Sequence, residues 1–264
     1  MLKMRTFIKS LLPNSLLLLY YDKNMERIGR KNSRQYVGNN VFCPCCGKTF
    51  DRFMDFYIPE NNNYDRYKDT YKGTVCPYCF SYPRHRIICY YLENNNKMRN
   101  DIIIFAPEYS IRKWLDKRDY KYTTADLFEP IVDIKVDIQN TPFPDDKWGL
   151  IMCNHILEHV DDYKQALKEL KRILKKDGIL EITVPLDRKL QTVYEDPDIV
   201  NVEDRIKAFG QSDHKRIFGN DFEKILSELG FIVEVFDGDT LPKSIVGVIG
   251  PSDYDDNRVF ICRK

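Results

Sequence analysis

The sequence predicts an α/β fold: an open, mostly parallel seven-stranded sheet with helices on both faces, preceded by a small cysteine-bearing module. Two observations predict it. From Asp101 onwards, short apolar runs alternate with segments of helical periodicity, which is typical of a parallel sheet covered by helices. Before that point, two Cys-x-x-Cys pairs flank a segment with little continuous apolar sequence, which indicates a metal-stabilised module rather than a hydrophobic core.

Composition and charge divide the chain into three predicted parts. Residues 1–41 form a basic amphipathic arm, 42–83 the cysteine module and 84–264 the α/β domain. The arm holds eight bases against two acids, a net charge of +6, whereas the whole chain carries only +1 and residues 42–264 therefore carry −5. This balance excludes a uniformly basic nucleic-acid-binding protein.

The basic arm has three alternative interpretations. Residues 1–21 could contact an anionic membrane surface peripherally, the basic side chains could bind RNA phosphates, or the arm could form a helix that packs on its own domain. No apolar stretch reaches the roughly 20 residues that span a bilayer. We therefore expect no transmembrane segment and a cytoplasmic protein, with peripheral membrane contact as an alternative.

The predicted elements follow one another at short intervals. A short helix is expected over 84–93, and Ser110 begins a second one that ends at Leu115. Asp161 or Asp162 begins the clearest helix, which Gly178 ends, and a further helix covers 221–229. The segment 185–219 is predicted to be rich in loops. The seven predicted strands are 102–106, 120–125, 134–136, 150–153, 179–184, 231–236 and 258–262.

The two cysteine pairs predict a structural zinc site. Cys43 and Cys46 form one pair, and Cys76 and Cys79 the other, so that four thiolates can close a tetrahedral site. The alternatives are two redox pairs or unligated thiols. Cys45 lies inside the first pair and could replace one of its members, although the Cys43–Cys46 gap is the standard one.

The stretch from Val136 to Val160 carries a family resemblance. An acid follows a strand, a Pro-Phe-Pro-Asp-Asp turn comes next, and a second strand ends at Asn-His-Ile-Leu-Glu-His-Val. This resembles class I S-adenosylmethionine-dependent methyltransferases of the type 11 group, which have a Rossmann-like sheet. The cysteine pairs together with Tyr82–Arg86 and Phe105–Glu108 resemble a bacterial subfamily that joins a four-cysteine zinc ribbon to this domain.

The resemblance implies a cofactor site at the carboxyl ends of the strands. Asp126 would accept hydrogen bonds from the ribose hydroxyls, Asp137 from the adenine amino group, and Ile138 would pack on the ring. The first loop departs from the family, because it has no glycine, and its Glu108 could pair with the cofactor's ammonium group. The expected cofactor-binding residues are Ala106, Pro107, Glu108, Asp126, Leu127, Asp137, Ile138, Asn154 and His155.

The expected function is S-adenosylmethionine-dependent methyl transfer to a small molecule or a cell-envelope glycan. If the acceptor is a hydroxyl, a base is needed, and His155 and His214 are the candidates because the pKa of histidine lies near working pH. One alternative is an RNA methyltransferase guided by the zinc ribbon. The other is a non-catalytic cofactor-binding or scaffold protein.

Overall fold

The computed structural model describes residues 13–55, 73–247 and 257–264, and its elements closely follow the predicted ones. The helices are α1 (Asn14–Ser33), α2 (Pro83–Asn94), α3 (Tyr109–Asp116), α4 (Tyr163–Ile173), α5 (Val202–Phe209), α6 (Phe222–Glu228) and α7 (Lys243–Val246). The strands are β1 (Val41–Cys43), β2 (Lys48–Phe50), β3 (Ile102–Phe105), β4 (Tyr122–Asp126), β5 (Ile134–Lys135), β6 (Trp148–Asn154), β7 (Leu174–Thr183), β8 (Tyr194–Glu195), β9 (Arg216–Ile217), β10 (Ile232–Asp237) and β11 (Arg258–Arg263).

The central sheet has seven strands in the order β10-β11-β7-β6-β3-β4-β5. Strand β11 pairs antiparallel with both of its neighbours, and the other described pairings in this sheet are parallel. The chain builds β3, β4 and β5 on one side and then crosses to β6 on the other, so the strand order reverses between β3 and β6. Ligands of such sheets bind at the carboxyl ends of the strands beside this reversal. The predicted Rossmann-like sheet is thereby confirmed.

The two faces of the sheet are covered differently. On one face, α4 and α6 pack their apolar sides against the strands, and the cluster includes Leu167, Leu170 and Phe222. On the other face, α2 and α3 pack together with the cysteine module, and one continuous cluster joins Cys43 and Cys76 to the sheet. The cysteine module therefore takes part in the same core as the sheet.

Helix α1 packs on the cysteine module and on α3. Gly29 faces the backbone of Tyr78 so closely that a Cβ atom would lie 2.0 Å from its carbonyl oxygen. Asp22 accepts a 2.8 Å hydrogen bond from Arg112. These contacts agree with the interpretation of the arm as a helix packed on its own chain, whereas residues 1–12 lie outside the described residues. Within the described part, none of the helices is long and apolar enough to cross a membrane.

Two local expectations were wrong. Ser110 lies inside α3, which begins at Tyr109, and its hydroxyl contacts His85 Nδ1 at 2.9 Å instead of capping the helix. Helix α4 begins at the Asp162 cap but ends at Ile173, and Gly178 lies within β7, because the chain turns straight into an extended strand. The expectation that the segment 185–219 is rich in loops is confirmed, since only the short elements β8, α5 and β9 lie within it.

Candidate functional site

A cavity of about 630 Å³ opens at the carboxyl ends of the strands, next to the reversal of strand order. Its volume lies within the usual range for small-molecule sites. Six of the nine expected cofactor-binding residues line it: Ala106, Asp126, Leu127, Asp137, Ile138 and His155. Pro107, Glu108 and Asn154 are not among the described residues of its walls.

Ala106 and His155 hold the backbone in an unusual conformation at the mouths of adjacent strands. Their φ angles are 48° and 51°, in the left-handed region that side chains other than glycine rarely adopt. Each is fixed by a neighbouring strand, because Ala106 N donates to Ala125 O at 2.9 Å and His155 N to Thr183 O at 3.0 Å. Strain that the surrounding structure holds in place in this way is typical of functional sites.

Two half-buried carboxylates face the cavity in fixed orientations. Asp126 Oδ1 accepts hydrogen bonds from the backbone N–H groups of Phe128 and Glu129 at 2.6 and 2.7 Å. Asp137 Oδ1 accepts from the backbone N–H of Gln139 at 2.9 Å. Carboxylates held in this way, beside the apolar wall made by Ile138, fit a nucleoside that offers hydroxyl or amino donors and a flat apolar ring.

Glu108 is held by two side chains of its own chain, Arg84 and His85. Its Oε1 accepts a 2.7 Å hydrogen bond from Arg84, and its Oε2 lies 2.5 Å from His85 Nε2. Burial opposes ionisation of Glu108, but Arg84 and His85 outweigh it and hold the pKa of this carboxyl well below its ordinary value. The backbone N–H of Tyr82 donates to His85 Nδ1 at 3.1 Å, so His85 is neutral with its proton on Nε2. These contacts occupy the carboxylate that we expected to meet an ammonium group.

Asn154 faces the neighbouring strand. Its amide donates to Glu181 Oε2 at 2.9 Å, and Thr183 donates to its carbonyl oxygen at 2.6 Å. Burial raises the pKa of Glu181 to about 8, so this carboxyl is mostly protonated at neutral pH. Sequence reasoning missed Glu181, although a single acid inside the apolar run Ile179–Val184 was a readable signal.

Three histidines surround Glu158 at one end of the cavity. His155 Nδ1 lies 3.3 Å and His159 Nε2 3.8 Å from Glu158 Oε1, and the rings of His159 and His214 are 4.8 Å apart. Burial and the three imidazoles act in opposite directions on Glu158, and the imidazoles prevail, so its pKa is lowered. Burial also lowers the pKa of His214. His155 lines the cavity, whereas His214 lies behind His159.

A buried arginine fixes these histidines in place. The Arg216 guanidinium donates to the carbonyl oxygens of Leu157 and Val160 at 2.7 Å and of Asp161 at 3.0 Å. The backbone N–H of Lys215 donates to the Glu158 carbonyl at 2.8 Å. The chain around His214 is therefore bound to the turn that follows β6.

The four expected metal-ligating cysteines lie together. Cys43, Cys46, Cys76 and Cys79 place their sulfur atoms within 4.8 Å of one another. The Cys43–Cys79 and Cys46–Cys76 separations are 3.6 and 3.8 Å. With zinc–sulfur bonds of about 2.3 Å, the sulfur atoms of a tetrahedral site lie about 3.8 Å apart, so the cluster has the size that a zinc ion needs.

Residues 110–182 match the family described as "Methyltransferase domain". The match covers 73 of the 264 residues of the chain. The matched range contains Asp126, Asp137 and His155 of the cavity, whereas the glycine-free loop at Ala106–Glu108 precedes it.

Individual relatives are similar to the chain over limited lengths. An uncharacterized protein of Methanocaldococcus jannaschii is 34% identical over 89 residues, which is 33% of this chain and 39% of that one. A demethylmenaquinone methyltransferase of Staphylococcus epidermidis is 34% identical over 80 residues, 28% of this chain and 33% of that one. The chain thus spans well under half the length of these curated relatives.

Solved methyltransferase structures are also similar to the chain. One is the 1,6-didemethyltoxoflavin-N1-methyltransferase of Burkholderia thailandensis, with bound 1,6-didemethyltoxoflavin and S-adenosylhomocysteine. It is 13% identical, with a TM-score of 0.45, and the similarity covers 68% of this chain and 76% of that one.

Proposed function

We propose that this protein is an S-adenosylmethionine-dependent methyltransferase whose cofactor binds in the 630 Å³ cavity. The observation that carries the proposal is the pair of oriented carboxylates, Asp126 and Asp137, on the walls of that cavity. Both lie in the range that matches the methyltransferase domain family.

Different residues of the cavity bind different parts of the cofactor. Asp126 accepts from the ribose hydroxyls beside Leu127, Asp137 accepts from the adenine amino group, and Ile138 packs on the ring. Ala106 and His155 border the methionine end. The bound cofactor supplies an electrophilic methyl group, so the protein has mainly to align the acceptor with it.

A hydroxyl acceptor also needs a group that takes up its proton, and His155 is the better placed of the two histidines. It borders the cavity, and its Nδ1 lies 3.3 Å from the Glu158 carboxylate, which would stabilise the imidazolium that forms. His214 is 3% exposed and lies behind His159.

We further propose that Cys43, Cys46, Cys76 and Cys79 hold one structural zinc ion. Closed sites with four protein ligands are structural, because no coordination position remains for a substrate. The Ser81 hydroxyl, 3.2 Å from Cys43 Sγ, is placed to donate to a thiolate there. These features support the bacterial subfamily with an N-terminal four-cysteine zinc ribbon.

The acceptor in this proposal is a small molecule or a cell-envelope glycan in the cytoplasm, because residues 42–264 carry a net charge of −5, which disfavours a polyanion such as RNA. One observation favours RNA instead. A groove along α1 is lined by Glu26, which pairs with Arg30, and by five basic side chains: Lys23, Arg27, Arg30, Lys31 and Arg34. Such a groove suits phosphates.

Calorimetry with S-adenosylmethionine and S-adenosylhomocysteine tests the cofactor proposal directly. We expect both to bind one site per chain and to compete. Methyl-labelled cofactor, offered with an RNA fraction or with a glycan and metabolite fraction, then identifies the acceptor class, and labelled RNA would select the alternative. If neither cofactor form binds, the protein is not a methyltransferase of this kind and the scaffold interpretation replaces it.

A further inference from the structure

Glu158, His159 and His214 bring three metal-ligating side chains together outside the cysteine cluster. One ligand atom from each lies within 4.8 Å of the others. Glu158 is 0% exposed, and among the described residues neither of its carboxylate oxygens has a partner in hydrogen-bonding geometry. A buried carboxylate in that condition is costly unless a cation compensates it.

His159, which lines the cavity together with His155, has the environment of a metal ligand. His159 Nε2 faces the Glu158 carboxylate, and its other ring nitrogen, Nδ1, lies 3.3 Å from the Asp213 carboxylate. Metal-ligating histidines typically donate their second ring N–H to a carboxylate in this way, which fixes the tautomer and makes the other nitrogen a better ligand.

The size of the cluster also suits a small divalent cation. With bonds of about 2.0–2.2 Å, adjacent ligand atoms lie about 3 Å apart and opposite ones about 4.2 Å. The three ligand atoms, which lie within 4.8 Å of one another, would therefore have to move only slightly closer together to bind such an ion. The Arg216 guanidinium holds the two chain segments together through main-chain contacts, so the ligands are positioned without a contribution from the ion.

We infer that Glu158, His159 and His214 form a binding site for a divalent first-row transition-metal ion at the edge of the cavity. Two histidines and one carboxylate leave coordination positions open, as in catalytic rather than structural sites. Because His159 and Asp213 line the cavity, those positions face the space where the acceptor must lie. An acceptor with an oxygen ligand suits such an ion; this last step rests on the proposed methyl transfer, whereas metal binding does not.

Manganese binding tests the inference in the full-length, zinc-loaded protein. Mn²⁺ is titrated in, and the unbound ion is counted by its electron paramagnetic resonance signal; thiolates prefer zinc, so the cysteine cluster does not interfere. We expect one Mn²⁺ per chain. Glu158→Gln and His214→Gln should each weaken binding at least tenfold, and Asp213→Asn by about 10- to 100-fold.

Glu181→Gln is the matched control, because it removes an equally buried carboxyl from the neighbouring strand and should leave Mn²⁺ affinity unchanged. Asp213 is 67% exposed, so Asp213→Asn keeps the test valid if Glu158→Gln does not fold. The inference is overturned if wild type binds no Mn²⁺, or if all variants bind it equally. S-adenosylhomocysteine calorimetry on the same samples separates this outcome from a failure of the methyltransferase proposal.

Discussion

The cysteine cluster and the cavity use polar side chains in opposite ways. In the cluster, four sulfur atoms point at one another, and three of the four cysteines are buried. Around the cavity, Asp126 and Asp137 are half-buried and are held at one oxygen by the following backbone. The cysteine cluster leaves no room for an exchanging ligand. The carboxylates of the cavity keep oxygen atoms available to accept hydrogen bonds from such a ligand.

Glu108 lies between these two regions. Like the cysteine sulfur atoms, its carboxylate faces groups of the same chain. It is held by Arg84 and His85 from α2, the helix that directly follows the second cysteine pair. The charged and polar side chains that join the module to the sheet are thus in contact with one another within the chain. The carboxylates at the sheet edge that remain available to a ligand are those of Asp126 and Asp137.

The largest expected effect comes from a substitution in the cysteine cluster. Cys76→Ser should remove the zinc and lower the melting temperature by roughly 10 °C or more, because structural zinc supplies on the order of 10 kcal/mol of binding free energy. The matched control is Cys45→Ser, since Cys45 is buried in the same knuckle but lies outside the cluster of four. Metal analysis should find one zinc per chain in the control and none in Cys76→Ser; the reverse pattern would contradict the ligand assignment.

A second, intermediate effect distinguishes the half-buried carboxyl of Glu108 from the buried carboxyl of Glu181 by pH. The lowered pKa of Glu108 means that its contribution to stability is present above its unfolded value of 4.5 and is lost as the pH falls below it. Glu108→Gln, which leaves Arg84 and His85 without their carboxylate, should cost about 1–3 kcal/mol at pH 7. The difference from wild type should shrink below pH 4.

Glu181 should show the opposite dependence. Its folded pKa of about 8 lies above the unfolded value of 4.5, so its contribution is present at low pH and is lost as the pH rises from 4.5 through 8. Glu181→Gln should therefore gain stability relative to wild type between pH 5 and pH 8. Thermal unfolding across this range measures both variants, and parallel curves for wild type and the two variants would refute the assigned ionisation states.

The smallest effect on stability is expected for a substitution in the cavity. Asp126→Asn keeps an oxygen that can accept from Phe128 and Glu129 but removes the charge, so the fold should persist while cofactor affinity falls by roughly 5- to 150-fold, equivalent to about 1–3 kcal/mol. Asp133→Asn is the control, because Asp133 accepts from Thr124 and does not line the cavity. Equal calorimetric affinities in both variants would remove Asp126 from the site.

Much of the fold could be predicted because it depends on local patterns. Apolar runs such as Ile102–Phe105 identified the buried strands, and Asp162 identified the start of α4. The early start of β7 could not be predicted, because the polar residues Lys175–Asp177 resemble a helix end. Their extended conformation depends on tertiary pairing, in which Trp148 lies opposite Leu174.

Residues of the site could be predicted only where a single strand or the loop after it carries the signal in the sequence. The family resemblance pointed to Asp126 at the end of a single strand, and the motif after β6 indicated His155. The partners of Glu108 could not be predicted, because Arg84 and His85 lie more than 20 positions away on a different helix. The same reason applies to His214, whose approach to His159 depends on main-chain contacts made by Arg216.

The continuous core under the cysteine module limits how such a chain can be divided or recombined. Ile87, Trp114 and Val259 pack in the same cluster as Cys43 and Cys76. A truncation that begins at residue 84 would expose this apolar face to water, and a foreign zinc-binding segment would have to reproduce its shape. The module is therefore an internal wall of the domain and not an exchangeable appendage.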